Sequence, residues 1–380
     1  MKHLTIGGST ISRTIACPAW IKRSKDVIKK PAGEAANLGN LLHDAMENYY
    51  KHGDDFESQI ERGLTYADLV LTDEHIPILN KMVSATDDVL DQYNVIDLVL
   101  EPFVQLIPDL AGGSIDMLGI SEDGKTALIL DYKTGRGRVK AIDNEQLMFY
   151  TLCAKKDDKT KLLFKDVENF VAAIVQPHVY GLEADIFEFD NATLDRFITV
   201  VGKAIEAAQA DKPKAVAGSH CHFCPYSSFC KEKREQAKTA YLINTKDKKA
   251  LTEAVALAQD LKAWCVSVIE DAEFFMREGA KLDGYKLVNG RSIRKWKDDK
   301  EAEKQLSGVF GDAAYNKKLI SPTQAAKLYK KSAIDGLLYD YLVIKPEGKP
   351  TLASADDPRA EIDTGIINKN LNDFLTNKPE

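Results

Sequence analysis

Two carboxylates and a lysine lie on one predicted β-hairpin in the middle of the chain. Asp116 is in the run GSIDMLGI, and Asp131 and Lys133 are in LILDYK, with the turn sequence SEDGK between the runs. We expect Asp116 to lie in one strand and Asp131 to end its partner, and the two-residue spacing sends Asp131 and Lys133 to the same face. Burying three such charges together is costly unless a cation or a phosphate joins them. Oxygen ligands of this kind suit Mg²⁺ or Mn²⁺.

The chemistry that this site supports is hydrolysis of a phosphodiester bond. A bound Mg²⁺ or Mn²⁺ activates a water for attack on phosphorus, and Lys133 is placed to orient that water or to stabilise the developing charge. The alternative is a solvated charge pair, Asp131 with Lys133, where a strand meets a loop. The apolar residues before Asp131 favour the first interpretation, because they indicate a strand that is buried up to the aspartate.

Three polar residues on predicted helices are further candidates. His43 follows Gly39 by one helical turn, and a glycine there permits close approach to a neighbouring element. Gln146 and Tyr150 are spaced i, i+4 on the helix that directly follows the acidic hairpin, so both side chains lie on one face above the site. The alternatives are a structural histidine and, for the pair, packing plus a surface amide.

Four of the six cysteines are unevenly spaced, with one near the N-terminus and three close together about two hundred residues later. They are Cys17 near the N-terminus and Cys221, Cys224 and Cys230 in CHFCPYSSFC. The later three are one short of a closed four-ligand site, and Cys17 can supply the fourth thiolate. Both zinc and a 4Fe-4S cluster take four cysteines. His220 and His222 offer a zinc alternative that leaves Cys17 free.

The elements that must position these residues follow from hydrophobic periodicity. The first ~90 residues are predicted to be mostly helical, and the region that follows is rich in short β-branched runs. A helix is expected around DNEQLMFYTLCAKK, then a strand pair in NFVAAIVQPHVY and ADIFEFD, and then a helix capped by Asn191 or Thr193. We therefore expect an α/β domain over residues 1–238.

Residues 239–380 are predicted to form a mostly helical extension. YKLVNGRSIRKW indicates a small β-hairpin turning at Asn289-Gly290. SPTQAAKLY indicates a helix with Ser321 as N-cap and Pro322 in its first position.

Composition restricts the class of protein. The chain has 380 residues, 29% of them charged, and a formal net charge of −7. It shows no apolar run of membrane-spanning length and no apolar signal-peptide core, and six cysteines in so long a chain suit a reducing compartment. We expect a cytoplasmic protein with no membrane partner. Net acidity counts mildly against a nucleic-acid binder, although a local basic stripe suffices to contact phosphates.

These motifs, taken in order, resemble the RecB-like branch of the PD-(D/E)xK nuclease superfamily. The order is His43, the GSID aspartate Asp116, the DYK pair Asp131 and Lys133, and the QLMFY pair Gln146 and Tyr150. The cysteine pattern resembles the iron–sulfur staple of the AddAB nuclease and of the CRISPR-associated RecB-like exonucleases. Almost the whole chain, including SRTIACPAW, DYKTGRGR and the tail GYKLVNGRSIRKW, resembles a phage and prophage protein family of this branch.

The resemblance implies a restriction-endonuclease-like core, a mixed central sheet flanked by helices. It implies His43, Asp116, Asp131 and the Tyr132 carbonyl as metal ligands and Lys133 as the catalytic lysine. Gln146 and Tyr150 would support the site and contact DNA. The implied cofactors are Mg²⁺ or Mn²⁺ and a 4Fe-4S cluster on Cys17, Cys221, Cys224 and Cys230, with zinc as the alternative.

The implied activity is cleavage of DNA, single-stranded or at duplex ends, by an exonuclease. The setting would be phage recombination or replication in a bacterial host. Two basic stretches are candidates for DNA contact, Arg136, Arg138 and Lys140 in KTGRGRVK, and Arg294 and Trp296 in KLVNGRSIRKWK. The rival interpretations are a DNA-binding recombination scaffold without catalysis and a zinc-stabilised interaction protein. The sequence does not fix digestion polarity, strand preference or oligomeric state.

Overall fold

A computed structural model of the chain describes residues 4–27, 30–241, 248–278 and 285. The chain divides into two compact units, Met1–Leu282 and Asp283–Glu380, and the elements named below belong to the first. The helices are α1 Gly8–Ala16, α2 Trp20–Ser24, α3 Glu34–His52, α4 Phe56–Glu61, α5 Ile76–Gln92, α6 Glu145–Lys156, α7 Asn191–Gln209, α8 Lys231–Tyr241 and α9 Lys248–Arg277. The strands are β1 Thr65–Tyr66, β2 Leu69–Val70, β3 Val95–Leu100, β4 Phe103–Ile107, β5 Ala111–Ser114, β6 Met117–Ser121, β7 Thr126–Tyr132, β8 Asn169–Val175 and β9 Ala184–Asp190.

The central sheet has five strands in the order β3-β6-β7-β8-β9. β6 and β7 form the predicted antiparallel hairpin, in which Met117 pairs with Leu130. β7 and β8 are parallel, with Tyr132 opposite Val175, and the other pairs are antiparallel. A parallel pair needs a long crossover connection, and α6 lies within the connection between these two strands. The predicted fold class, a mixed sheet flanked by helices, is confirmed.

Alternating side chains of β7 separate the hydrophobic core into two layers. Ile129 belongs to the cluster that includes residues of α1, α6 and α7, whereas Leu128 and Leu130 belong to the cluster that includes residues of α3 and α5. The period of two therefore directs Asp131 to the same face as Ile129, and Tyr132 to the opposite face. Both layers meet at the C-terminal end of β7.

Two local predictions are wrong. Asp116 lies in a bend between β5 and β6 rather than in a strand. The N-cap of α7 is Asp190, whose carboxylate accepts a hydrogen bond of 2.8 Å from the Thr193 N–H, and not Asn191 or Thr193.

Several predictions about the C-terminal part lie outside the described residues. These are the hairpin at Asn289-Gly290, the helix begun by Ser321 and Pro322, and the basic stretch with Arg294 and Trp296. The division at residue 238 stays a prediction. Of the helices that the structure does describe, none has the length and apolar content needed to cross a bilayer.

Helix α1 packs tightly against α6 through a glycine. A Cβ atom built on Gly8 would lie 2.3 Å from Cζ of Tyr150, far inside van der Waals contact. The Tyr150 ring is buried, and a Cβ on Gly113 would lie 3.3 Å from the same ring. The ring therefore has little room to move, and the absence of a side chain at Gly8 sets the distance between the two helices.

Gly8→Ala should lower the free energy of unfolding by about 1–3 kcal/mol, because the added methyl group overpacks the Tyr150 ring. The matched control is Gly202→Ala in α7, where an added Cβ meets no atom within 4 Å. That substitution should raise stability by up to about 1 kcal/mol, because alanine favours the helix. Urea unfolding, monitored by circular dichroism, measures the free energy of unfolding of both variants. Equal changes at the two positions would contradict the proposed packing.

Candidate metal centre

Asp116 and His43 meet at the sheet end from different elements. The Asp116 carboxylate accepts a hydrogen bond of 2.7 Å from the Tyr132 N–H through Oδ2. Its Oδ1 lies 3.4 Å from Nδ1 of His43 on α3. The predicted close approach of this helix is confirmed, because a Cβ on Gly39 would lie 2.8 Å from Oγ1 of Thr134, just after β7.

Asp131, Lys133 and Gln146 form the adjacent half of the site. Nε2 of Gln146 donates a 2.7 Å hydrogen bond to Oδ1 of Asp131, and Oε1 of the same amide accepts one of 3.3 Å from the Lys133 ammonium. The ammonium also lies 2.5 Å from Oδ2 of Asp131. Gln146 follows Asn144, whose side chain caps α6 by accepting from the N–H groups of residues 146 and 147. The capped first turn of α6 thus places the amide over the end of β7.

The buried ligand atoms of this site are suited to a cation. Nδ1 of His43 and Oδ2 of Asp131 are buried, and each faces a charged neighbour, the Asp116 carboxylate at 3.4 Å and the Lys133 ammonium at 2.5 Å. Among the described residues, one group of histidine and acidic side chains has all its ligand atoms within 4.8 Å of one another, and it consists of His43, Glu101 and Asp116. One nitrogen and several oxygens fit a divalent cation such as Mn²⁺ or Mg²⁺.

Glu101 is the site residue that the sequence interpretation missed. It follows β3 directly, has a left-handed backbone with φ of 49°, and donates its N–H to the Asp116 carbonyl at 3.2 Å. A non-glycine residue in that conformation is uncommon and often marks a functional position. The available signal was an acidic residue at the end of the apolar run VIDLVL, the same signal that singled out Asp131.

The acidic groups hold too much negative charge for the two basic groups beside them. Burial and the Asp116 carboxylate raise the pKa of Glu101 to about 8. Burial also raises the pKa of Asp131, even though Lys133 opposes the shift. The pKa of Asp116 lies below its usual range, because His43, Tyr132 N–H and Lys133 outweigh the effect of burial.

His43 and Lys133 carry the compensating charge. Burial lowers the pKa of His43, but Asp116 and Asp131 outweigh it and raise the pKa to about 9. The pKa of Lys133 is raised in the same way, because Asp131 outweighs burial. A divalent cation would complete the neutralisation of these carboxylates.

Tyr150 and Tyr132 occupy the two sides of the site. Tyr150 lies near Gln146, and burial together with Asp131 and Asp116 raises its pKa above the ordinary value. Its ring is packed against Gly8. The Tyr132 ring faces the other layer, where it packs edge-on to His43 and its hydroxyl lies 3.3 Å from Oγ1 of Thr86. The structure thus gathers His43, Asp116, Asp131, Tyr132, Lys133, Gln146 and Tyr150 at one end of the sheet.

The basic loop Gly135–Val139 leaves β7 beside this centre. Arg136 and Arg138 are exposed and Lys140 is half-buried. The Arg138 guanidinium lies 5.4 Å over the Tyr180 ring, and Nε donates to the Tyr180 hydroxyl at 3.0 Å. The first basic stretch therefore lies next to the acidic site, as its sequence position suggested.

The structure does not support the predicted 4Fe-4S cluster. Burial raises the pKa of Cys17, but His220 and the Val216 N–H outweigh it and hold the pKa below its ordinary value, and His220 acts on Cys221 in the same way. Cys230 has other partners, since its Sγ lies 3.5 Å from Nη1 of Arg23. Cys224 packs against the cluster that contains Cys17, but among the described residues no three cysteine sulfurs lie within 4.8 Å of one another.

Noncovalent contacts join the N-terminal segment around Cys17 to the segment after α7 that contains the other three cysteines. The Val216 N–H donates to Sγ of Cys17 at 3.3 Å, and the Lys22 ammonium donates to the Ala210 carbonyl at 2.7 Å. Arg23 binds Glu232 at the start of α8 with both terminal nitrogens. The segment before α3 and the segment after α7 are therefore in contact, as expected.

A family model matches residues 3–360, and its description is "Protein of unknown function (DUF2800)". The chain belongs to this family. Among solved structures, an alkaline exonuclease (LHK-Exo) from Laribacter hongkongensis is 12% identical with a TM-score of 0.23, over 53% of this chain and 93% of that one. SSO0001 is 12% identical with a TM-score of 0.22, over 59% of this chain and 95% of that one. We transfer nothing from structures with such low TM-scores.

Glu101→Gln should weaken Mn²⁺ binding about tenfold, because it removes a negative oxygen from the His43–Asp116 group. Isothermal titration calorimetry of the metal-free protein with Mn²⁺ measures the change. Glu168→Gln, an exposed glutamate beyond the opposite end of β7, is the control and should bind Mn²⁺ like the parent. Unchanged affinity in Glu101→Gln would remove Glu101 from the metal centre.

The Arg23–Glu232 ion pair makes stability depend on pH. The hydrogen bonds from Arg23 lower the pKa of Glu232 from 4.5 to about 2. A lowered carboxyl pKa stabilises the fold above the unfolded value, and that stabilisation is lost as pH falls through the folded value. Both side chains are about one-third exposed, so Glu232→Gln should cost only about 0.5–1 kcal/mol at neutral pH.

Urea unfolding should show that the parent has a larger free energy of unfolding than Glu232→Gln at pH 7. This difference in free energy should decline steadily between pH 4.5 and about pH 2. Glu235→Gln on the same helix, in the exposed pair with Lys238, is the control and should change little at either pH. A difference that persists undiminished at low pH would show that the pair does not act through ionised Glu232.

Proposed function

We propose that this protein is a metal-dependent DNA nuclease that hydrolyses phosphodiester bonds. The observation that carries the proposal is the group of His43, Glu101 and Asp116, whose ligand atoms lie within 4.8 Å of one another, next to the buried Asp131–Lys133 ion pair. Carboxylates, an imidazole and an ammonium in one cleft suit phosphoryl chemistry with Mg²⁺ or Mn²⁺. The resemblance of the motif order to RecB-like nucleases supports the same assignment independently of the geometry.

The residues take distinct roles in this proposal. Asp116, Asp131 and His43 hold the ion, with the Tyr132 carbonyl as a further ligand, and Glu101 adds a carboxylate beside His43 and Asp116. A bound divalent cation supplies an activated water and neutralises charge that develops on the phosphate. The Tyr132 N–H fixes the Asp116 carboxylate, so this ligand is oriented before the ion arrives.

Lys133 and Gln146 act on the substrate side. The Lys133 ammonium is half-buried beside Asp131 and carries a positive charge close to the phosphate position. Gln146 forms hydrogen bonds with both Asp131 and Lys133, so it holds the carboxylate and the ammonium at a constant separation. The buried Tyr150 ring has a fixed position next to Gln146, which suits a supporting role beneath the site.

DNA is the proposed partner. Arg136, Arg138 and Lys140 directly follow the catalytic strand and provide positive charge for the backbone, while the net charge of −7 falls elsewhere on the chain. The resemblance further suggests an exonuclease that acts on DNA ends during phage recombination or replication in the bacterial cytoplasm. In this proposal the cysteine segment contributes to folding and not to catalysis.

Asp131→Asn should reduce Mg²⁺- or Mn²⁺-dependent cleavage of end-labelled DNA by more than about a hundredfold, because it removes a charged metal ligand. The melting temperature should stay close to that of the parent, since the amide keeps the size of the side chain. Asp158→Asn, an almost fully exposed aspartate, is the matched control and should cleave normally. Full activity in Asp131→Asn would end the nuclease assignment.

The choice of DNA substrate tests the finer part of the proposal. An enzyme that acts on ends degrades linear DNA and leaves covalently closed circles intact, whereas an endonuclease cuts both. Binding of DNA by the parent without metal-dependent cleavage of either form would instead support the non-catalytic scaffold.

A further inference from the structure

A buried amide holds the basic loop in place. Gln176 is the first residue after β8, and only 1% of its surface is exposed. Its Nε2 donates to the carbonyls of Gly135 at 2.8 Å and Gly137 at 2.7 Å, and its Oε1 accepts from the Val139 N–H at 3.0 Å. All three hydrogen bonds go to the backbone of the loop Gly135–Val139, so one side chain determines the conformation of that loop.

The segment after Gln176 fixes the same loop from the other side. The Tyr180 hydroxyl donates to the Val139 carbonyl at 2.9 Å and accepts from Nε of Arg138 at 3.0 Å. Asp185 in β9 accepts from the Ala141 N–H at 2.7 Å. A glycine-rich loop would otherwise sample many conformations, and these contacts remove that freedom before any ligand binds.

The loop and its clamp emerge beside the metal centre. β7 and β8 are parallel and in register, with Tyr132 opposite Val175, and the Lys133 N–H donates to the Val175 carbonyl at 2.9 Å. Gln176 therefore lies at the end of the strand that neighbours Asp131 and Lys133. Any displacement of Gln176 is transmitted directly to the backbone that follows the catalytic lysine.

Three exposed basic residues share the surface formed by this loop and its neighbours. Arg136 lies in the loop, His178 follows Gln176 by two residues, and Lys81 comes from α5. Partial burial, and then Arg136 and Lys81, hold the pKa of His178 below its ordinary value, which places the three groups within electrostatic range. Among the described residues, none of the three forms an ion pair with a carboxylate. The charges of Arg136 and Lys81 favour an anionic partner, and the neutral His178 imidazole near them can donate a hydrogen bond to it.

We propose that Gln176 is a positioning residue that holds the loop Gly135–Val139 as a preformed phosphate-binding rim. Arg136, His178 and Lys81 then form the surface that the DNA backbone crosses next to the metal centre. The proposal rests on the proposed function and adds residues that the motifs do not include. Preorganisation is the physical reason, since a loop already ordered loses less entropy when it binds.

DNA affinity, measured by fluorescence anisotropy with a labelled oligonucleotide in EDTA, tests the surface. Arg136→Ala should bind about tenfold more weakly and should lower the slope of log affinity against log salt by about one. Lys125→Ala, at the opposite end of β7, is the control and should change neither quantity. Gln176→Ala should weaken binding to a similar extent as Arg136→Ala.

The double variant Gln176→Ala with Arg136→Ala separates positioning from general destabilisation. If Gln176 acts by placing Arg136, the double variant should bind little more weakly than either single variant. Steady-state cleavage should show about a tenfold rise in KM for Gln176→Ala, with kcat within about twofold of the parent.

Gln176→Glu, which cannot donate to the two glycine carbonyls, should behave like Gln176→Ala. Tyr180→Phe, which keeps the ring, provides a milder variant should Gln176→Ala fold poorly, with about a threefold rise in KM.

The outcomes distinguish the two proposals. Unchanged KM and salt dependence in the Gln176 variants, with cleavage and its loss in Asp131→Asn intact, would overturn the positioning role alone. Fully additive losses in the double variant, or a fall in kcat without a rise in KM, would do the same. A parent protein that neither binds nor cleaves DNA would overturn the proposed function, and this inference with it.

Discussion

Burial of like charge at the end of β7 is the constraint on which the arrangement of the rest depends. Asp116 and Asp131 are buried and Glu101 is half-buried, and burial raises the pKa of Asp131 and of Glu101. Such an arrangement persists only if basic groups, hydrogen bonds or a cation compensate it. His43 and Lys133 supply part of that compensation, and the His43, Glu101 and Asp116 group is a candidate site for a divalent ion that would complete it.

The two-layer fold meets this requirement because each layer contributes one part of the site. α3 brings His43 from one side of the sheet, and α6 brings Gln146 from the other. The alternation of side chains along β7 makes this possible, since Asp131 faces α6 while Tyr132 faces α3 and α5. Asp116, in the bend before β6, contacts His43 on α3, whereas Asp131 in β7 contacts Gln146 on α6.

Contacts at a distance from the site hold the layers in place. Gly8 sets the distance between α1 and Tyr150, and Gln176 holds the loop that follows Lys133. Arg23 and Glu232 join the N-terminal segment to α8, where the cysteine pattern predicted a metal. The contact between those segments was predicted correctly, whereas the structure does not support the predicted iron–sulfur cluster, and Cys230 lies beside the Arg23–Glu232 pair.

The sequence by itself determined the elements and most of the site. The β6–β7 hairpin, helix α6, the β8–β9 pair and the association of Asp131 with Lys133 all follow from local periodicity and turn chemistry, which act over a few residues. Only the tertiary structure decided what depends on contacts between distant segments. Glu101 joins His43 and Asp116 because the chain turns with a positive φ after β3, and Gln176 reaches the basic loop because β7 and β8 are parallel. The apolar run before Glu101 marks it as a strand-end acid, but its contact with His43 and the contact of Gln176 with the basic loop depend on segments about 40 to 60 residues apart that meet only when the sheet closes.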